Sequence, residues 1–446
     1  MSASPKSPPV PPSGGRLTGP LEVVRRPRTL DIVALVVPIL VAVEITVVGH
    51  LFLAELVLLL SLPFLLAGGR DHVDRAMKII LGCGFLWLAS QILTDLVRHS
   101  AFHDFARGWS RAFFTMSSLL ALDLIFENKR RRLVLFAVGL SVGLLLGYAV
   151  SPTGLQRADA WKFGLGFPIT LLLVLVATRP RVQRFALLPA GFLCAAAFLN
   201  LALGFRSLGG ICFLAAGYVA FQSYSLRKAH GPPRLSVGRI LVVSGLTLLL
   251  GLGFLRGYEY AAAHGLLGQT AKAKYALQSS GKFKLIAPFV ADRPTFYIGI
   301  KAIEDSPLIG HGSWARNPKY TTEALTDLKK AGYTVDPNLI NELHGEVRIP
   351  AHSYLLEAWV DGGVLGGVFW LVILGLVGVV FLTLYGMREN LSPLIAFLMM
   401  YLTWSIFLSP YGTDQRIIAS YSILVMLYAW RRWRQLPNNR GQIAFE

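Results

Sequence analysis

The chain has 446 residues, 54% of them hydrophobic and 15% charged, with a formal net charge of +18. Its mean hydropathy of +0.54 argues against a soluble globular protein. Nucleic-acid binding is not indicated either, because Lys and Arg sit in short clusters between apolar segments rather than on a soluble module of their own.

Residues 1–29 form a tail rich in Pro, Ser and Gly that ends in Arg25, Arg26 and Arg28, a composition that predicts disorder. The apolar stretch that follows has no small-residue cleavage site and is read as an uncleaved span. Hydropathy then predicts about twelve transmembrane helices. They fall at 30–47, 51–67, 77–97, 112–127, 133–151, 164–178, 185–204, 208–225, 238–256, 354–384, 391–409 and 415–430. The tenth is too long for one perpendicular crossing, so its first turns are expected to project from the bilayer. A transmembrane β-barrel would alternate apolar and polar residues, and runs such as Leu56–Leu66 do not. The three cysteines, Cys83, Cys194 and Cys212, lie within apolar segments and offer neither a disulfide framework nor a CxxC metal site.

Connections rich in Lys and Arg alternate with poorer ones. The rich set holds Arg70, Arg75 and Lys78; Lys129, Arg130, Arg131 and Arg132; Arg179, Arg181 and Arg184; Arg227, Lys228, Arg234 and Arg239; Arg388; and Arg431, Arg432 and Arg434. The positive-inside rule places this set and both termini in the cytoplasm. The expected fold is therefore all-α and polytopic: a cytoplasmic tail at 1–29, nine helices over 30–256, one large helical loop outside at 257–353, three helices over 354–430, and a cytoplasmic tail at 431–446.

A loop of about 95 residues is too long to be structureless in a compact protein. Tyr260–Leu277 reads as helical. A second helix is expected from a cap at Asp292, with Pro294 just inside, to Asp305; a third is expected over Thr322–Ala331, with Gly332 at its C-cap.

Three features on the outer side could carry chemistry. Arg206 stands in a tight turn, Phe205-Arg206-Ser207-Leu208-Gly209-Gly210. Arg293 opens a loop helix and is followed by Ser306-Pro307-Leu308-Ile309-Gly310-His311-Gly312. His352 opens the helix that re-enters the membrane, in the run Pro350-Ala351-His352-Ser353-Tyr354-Leu355-Leu356-Glu357-Ala358-Trp359-Val360-Asp361-Gly362-Gly363-Val364-Leu365-Gly366-Gly367. Each has a plain structural reading: an arginine that snorkels to the interface, a solvated arginine, and a hydrogen-bonded interfacial histidine. A helix N-terminus disfavours imidazolium, so it would keep His352 neutral, as a general base must be. His311 and His344 also lie outside. Glu44, Glu55, Asp95 and Asp123 are a rival signal, since acids within the bilayer often mark ion pathways; Asp95 has Arg98 one turn away, and Asp123 reads as the deepest.

In order and surroundings the three features resemble the O-antigen ligase and O-antigen polymerase superfamily. Its members transfer glycans from undecaprenyl pyrophosphate on the periplasmic face of the bacterial inner membrane. The likeness spans roughly residues 195–385 and is strongest in the His, Ser, Leu, Glu, Gly, Gly pattern of His352–Gly367. Phe205-Arg206 stands where the family often has Ser-Arg. The resemblance implies that His352 is the catalytic histidine and that Arg206 and Arg293 bind pyrophosphate. It also implies that the acceptor is a lipid A-core sugar for a ligase, or another lipid-linked glycan for a polymerase. The single long outer loop favours the ligase. No cofactor is called for, and the outer loops hold neither Asp-x-Asp nor a His/Cys cluster with zinc spacing. A transporter or flippase of lipid-linked sugars, the reading from another class, would show paired half-repeats or matching broken helices, and none is visible.

The topology is open to direct test. Reporter fusions at Lys129 and Lys228 are expected to signal cytoplasm, and one at Gly281 the outside; a periplasmic signal at Lys129 reverses the orientation.

Overall fold

The computed structural model describes residues 28–46, 49–68, 73–228, 259–266, 294–330, 348–387 and 389–436, with a few further positions between 245 and 275. The disordered tail expected at 1–29 lies almost wholly outside these residues. So do most of the span expected at 238–256 and half of the helix expected over Tyr260–Leu277, together with the Asp292 cap, Arg293, Gly332 and His344. Of that expected helix the described residues are helical to Ala263 and turn at 264–266, where Gly265 has φ 75°.

Helix α1 (Arg28–Val36) passes into a 3-10 turn over Val37–Ala42 with Pro38 in its first turn. A two-stranded antiparallel hairpin follows, β1 (Glu44–Thr46) and β2 (His50–Phe52), with Ile45 opposite Leu51. Next come α2 (Leu53–Ala67), α3 (Arg75–Arg98), α4 (Phe102–Phe126) and α5 (Arg130–Val150). Short α6 (Gly154–Ala158) and a π-helical turn at Trp161–Leu165 lead into α7 (Gly166–Ala177). After them run α8 (Pro180–Gln183), α9 (Leu188–Ala202) and α10 (Arg206–Lys228). The loop region contributes α11 (Pro294–Asp305) and α12 (Pro318–Lys330). The chain closes with α13 (Tyr354–Gly362), α14 (Val364–Leu384), α15 (Ser392–Leu408) and α16 (Thr413–Arg434).

Among the described residues the fold is thus all-α apart from one small hairpin. Among the described residues, α3, α4, α5 and α14 are long and apolar enough to cross a membrane, and five shorter apolar helical stretches accompany them. The count of twelve read from hydropathy is not carried by helix length and composition. Large apolar side chains such as Phe64, Phe85, Leu60 and Leu96 face outward, as a surface in contact with hydrocarbon requires. By contrast, α16 is buried from Arg416 to Ala429 and forms the centre of the bundle.

Several expected boundaries move for identifiable reasons. The span at 30–47 stops being α-helical at Val36, where the 3-10 turn and hairpin take over. The span at 112–127 begins at Phe102 instead, because Arg107 and Arg111 depress hydropathy without breaking a helix. The third loop helix starts at Pro318 rather than Thr322, with proline at a position where its missing N–H costs nothing. The long stretch at 354–384 is two helices, because Gly363 between them has φ 72°, the left-handed region that favours glycine.

The two ends of the bundle are held by different charges. At the end bearing the basic connections, Arg431 donates to Asp74 at 2.9 and 3.0 Å and to Asp123 at 2.6 Å. Arg132 joins Asp31 at 3.0 Å to Glu127 at 2.9 Å. At the opposite end Arg416 donates to Glu55 at 2.5 and 2.7 Å and to the His50 carbonyl at 3.0 Å, tying α16 to α2 and the hairpin. The described part of the loop lies at this second end. It has a small core of its own in which Ile298, Ala302, Tyr320, Ala324, Leu325, Ile349, Ala351 and Val360 are buried together.

Candidate functional site

The turn Ser306–Gly312 and the helix break at Gly362–Gly363, about fifty residues apart in sequence, fit into each other. His311 N–H donates to the Val360 carbonyl at 2.7 Å, Gly312 N–H to the Asp361 carbonyl at 3.1 Å, and Val364 N–H to the Pro307 carbonyl at 2.9 Å. Gly310 has φ 77°, and a Cβ there would lie 2.5 Å from the Gly363 nitrogen; a Cβ on Gly363 would strike the Leu308 carbonyl. Close approach and positive φ together leave glycine as the residue for both positions. From the bundle, Thr94 donates to the Ile309 carbonyl at 2.5 Å, and Arg98 to the Gly310 carbonyl at 2.8 Å and Ser306 Oγ at 2.8 Å. Asp95 accepts from Ser313 N–H, Ser313 Oγ and Trp109 Nε1, each at 2.7 Å.

Beside this turn lies a buried charge cluster. Arg111 on α4 donates to Glu357 at 2.9 Å and to Asp361, one helical turn further along α13; the three side chains are 5–6% exposed. Glu357 also accepts from Tyr411 N–H at 3.3 Å and lies 3.5 Å from Arg348. Three guanidinium groups lie over the Trp314 ring, with Arg348 4.0 Å, Arg111 4.7 Å and Arg107 5.8 Å from its centroid. Trp314 is held at φ 58°, a conformation that costs a bulky residue about 1–3 kcal/mol. From Arg348 the chain runs beside Ala315 and Arg316, with Ile349 N–H donating to the Ala315 carbonyl at 2.9 Å, and delivers Ala351 and His352 to the mouth of α13.

His352 is exposed and stands two residues before the first residue of α13. Ser353, not His352, caps the helix: its Oγ accepts from Leu356 N–H at 3.1 Å and donates to the Ile406 carbonyl near the end of α15 at 2.7 Å. His352 itself adopts φ 29°, a second strained residue at this end.

Arg206 is half-buried at the first position of α10. Near the other end of that helix, Gln222 donates to the Leu384 carbonyl at 2.6 Å and to Ser392 Oγ at 3.1 Å at the start of α15. Arg206 lies about 24 Å back along α10 from Gln222, and Ile406 about 21 Å along α15 from Ser392, at 1.5 Å per helical residue. The two helices pack against each other. Arg206 and His352 therefore share the loop end of the bundle, on helices that both pack against α15. Arg293, expected as the second arginine, lies outside the described residues.

Arg111, Arg348 and Trp314 were not singled out from the sequence, although Glu357 and Asp361 at i and i+4 on one helix face were a legible request for a cation. The four acids read as a possible ion pathway have definite partners: Glu44 with His50 at 2.7 Å, Glu55 with Arg416, Asp95 with Ser313 and Trp109, and Asp123 with Arg431. The expected pairing of Asp95 with Arg98 gives way to Ser313 and Trp109, because Arg98 is turned to the Gly310 carbonyl. Asp123 is buried and is paired with Arg431 at the end bearing the basic connections.

His311 bonds the Ala302 carbonyl through Nε2 at 2.7 Å, and burial pushes its imidazole below the usual range. Nearby, the Tyr320 hydroxyl and Lys319 hold exposed Asp305 below the usual carboxylate range. With its folded pKa depressed, His311 stays neutral in the fold and takes up a proton on unfolding. Its contribution is therefore present above the unfolded value of about 6.5 and is lost as pH falls below it toward the folded pKa. Thermal melts between about pH 7.5 and 5.5 are expected to fall less steeply on acidification for His311→Gln than for wild type. Equal slopes would remove His311 as the titrating group.

In comparisons with known proteins, no family model, no curated protein and no solved structure matches the chain.

Proposed function

We propose that the chain is a glycosyltransferase of the bacterial inner membrane, moving a preassembled glycan from undecaprenyl pyrophosphate to an acceptor sugar hydroxyl on the periplasmic face. The acceptor is a lipid A-core sugar, which makes the protein an O-antigen ligase. In this reading the bundle crosses the membrane about twelve times, both termini are cytoplasmic, and the end carrying α11–α13 faces the periplasm.

The observation that carries this reading is the position of His352. It is exposed at the mouth of α13, beside the C-terminal end of α15, with Arg206 at the same end of the bundle. A lipid-linked donor presents its headgroup at the membrane surface, where these residues lie. His352 takes the proton of the acceptor hydroxyl while that oxygen bonds to the anomeric carbon. The bond from that carbon to the pyrophosphate oxygen breaks, and its electron pair leaves with undecaprenyl pyrophosphate. Arg206 and Arg293 offer guanidinium forks to the phosphate oxygens as negative charge grows on them. Docking of the Ser306–Gly312 turn into the Gly363 break supports the reading as well, because it makes one unit of the two segments that carry the resemblance.

The test is glycan transfer in membranes at matched expression, alongside binding of the lipid-linked donor. His352→Ala and His352→Gln are expected to lose roughly 10²–10⁴-fold in turnover with donor binding nearly intact. Arg206→Lys keeps the charge but loses the fork, and transfer is expected to fall strongly. Activity is expected to persist in excess EDTA. Wild-type-like transfer by His352→Gln contradicts the assignment of the base, and restoration of chelator-killed activity by Mg²⁺ contradicts the role given to the arginines.

A further inference from the structure

At the end of the bundle away from the loop, a polar cavity of about 400 Å³ is lined by Asn128, Arg130, Glu389, Asn390, Tyr428, Arg432 and Gln435. Its charges are two guanidinium groups and one carboxylate. The Glu389 side chain is only 8% exposed, yet among the described residues its contacts are long: Leu391 N–H at 3.2 Å, the Tyr428 hydroxyl at 3.4 Å and Arg432 Nε at 3.9 Å. A buried carboxylate in a well-made ion pair meets its donor at about 2.7–2.9 Å, so Glu389 retains capacity for a stronger one. Arg130 makes only a long contact to the Thr178 carbonyl, at 3.4 Å, the Arg432 side chain is 54% exposed, and both line the cavity. Trp430, under the Arg434 guanidinium at 4.8 Å, and Trp433 lie on the same last turns of α16; indole rings of this kind mark the headgroup level of a bilayer.

We propose that this cavity binds the phosphoethanolamine headgroup of a membrane aminophospholipid. The phosphate sits on Arg130 and Arg432, and the primary ammonium donates to Glu389. A phosphate alone would meet the Glu389 carboxylate unfavourably, and a quaternary ammonium has no N–H to give it. The charge pattern therefore selects a zwitterion with a primary amine. The site is remote from His352 and independent of the proposed transfer reaction.

The experiment is native mass spectrometry of the purified full chain in detergent, titrated with phosphatidylethanolamine, phosphatidylcholine and phosphatidylglycerol of identical acyl chains. Phosphatidylethanolamine is expected to bind about tenfold more tightly than the other two, the ratio that one charge-assisted hydrogen bond supplies. Glu389→Gln is expected to erase that preference, and Arg432→Gln to weaken all three lipids alike. Because Arg432 is more than half exposed, its variant carries the test if Glu389→Gln is not recovered folded. Soluble glycerophosphoethanolamine is expected to compete for the site. Displacement by inorganic phosphate at the same concentration marks a plain anion site and overturns the proposal, as do equal binding of the three lipids and a preference that survives Glu389→Gln.

Discussion

Arg111 lies between Glu357 and Asp361, with all three side chains nearly out of solvent. Removing such ions from water costs several kcal/mol each, a cost that close pairing through both terminal nitrogens of Arg111 offsets in part, its Nε having no hydrogen-bond partner among the described residues. The three groups therefore cannot part without leaving a buried charge unpaired, and α4 is locked to α13. Glu357 and Asp361 stand one turn apart, so a single guanidinium spanning both also fixes the rotation of α13. That rotation presents the Val360 and Asp361 carbonyls to the Ser306–Gly312 turn. It also places Trp314 beneath the guanidinium groups of Arg111 and Arg348, and Arg348 begins the short extended run that ends at His352. The loop is thus seated by an electrostatic contact inside the bundle rather than by its own small core alone.

Cations and anions divide the bundle into two ends with separate work. Arg431 and Arg132 gather the acids of α1, α3 and α4 at one end. Arg416 and Arg111 hold the hairpin and the loop at the other. Intramembrane acids that lack partners are the usual sign of an ion path; here Glu55, Asp95 and Asp123 are engaged in bonds between helices, which fits a scaffold better than a relay.

Hydropathy located α3, α5 and α15 to within a turn, because each is a long apolar run bounded by charge or proline. It failed where a local conformation rather than composition decides the chain. The Gly363 break lies inside the single stretch read at 354–384 and exists because the Leu308 carbonyl must approach the backbone there. The hairpin at Glu44–Phe52 is set by the pairing of Glu44 with Phe52 and Thr46 with His50, a register invisible to a window average. In the site, the sequence reads as though His352 opens the re-entrant helix; the helix begins at Tyr354 with Ser353 as its N-cap, so His352 stands just before the cap. Arg111 was illegible because its partners lie 246 and 250 residues away.

A catalytic reading of His352 needs the residue to be held, and the chain before it is held through Arg348, Trp314 and ultimately Arg111. Hydrogen exchange of the peptides covering residues 306–316 and 348–353 in Arg111→Met tests that dependence most directly. Losing the cation leaves two buried carboxylates without their main partner, a cost of about 3–5 kcal/mol. Exchange in both segments is predicted to accelerate by two orders of magnitude or more, about 1.4 kcal/mol per tenfold, while α15 keeps its protection. Unchanged exchange in 306–316 and 348–353 would contradict the claim that this buried guanidinium seats the loop.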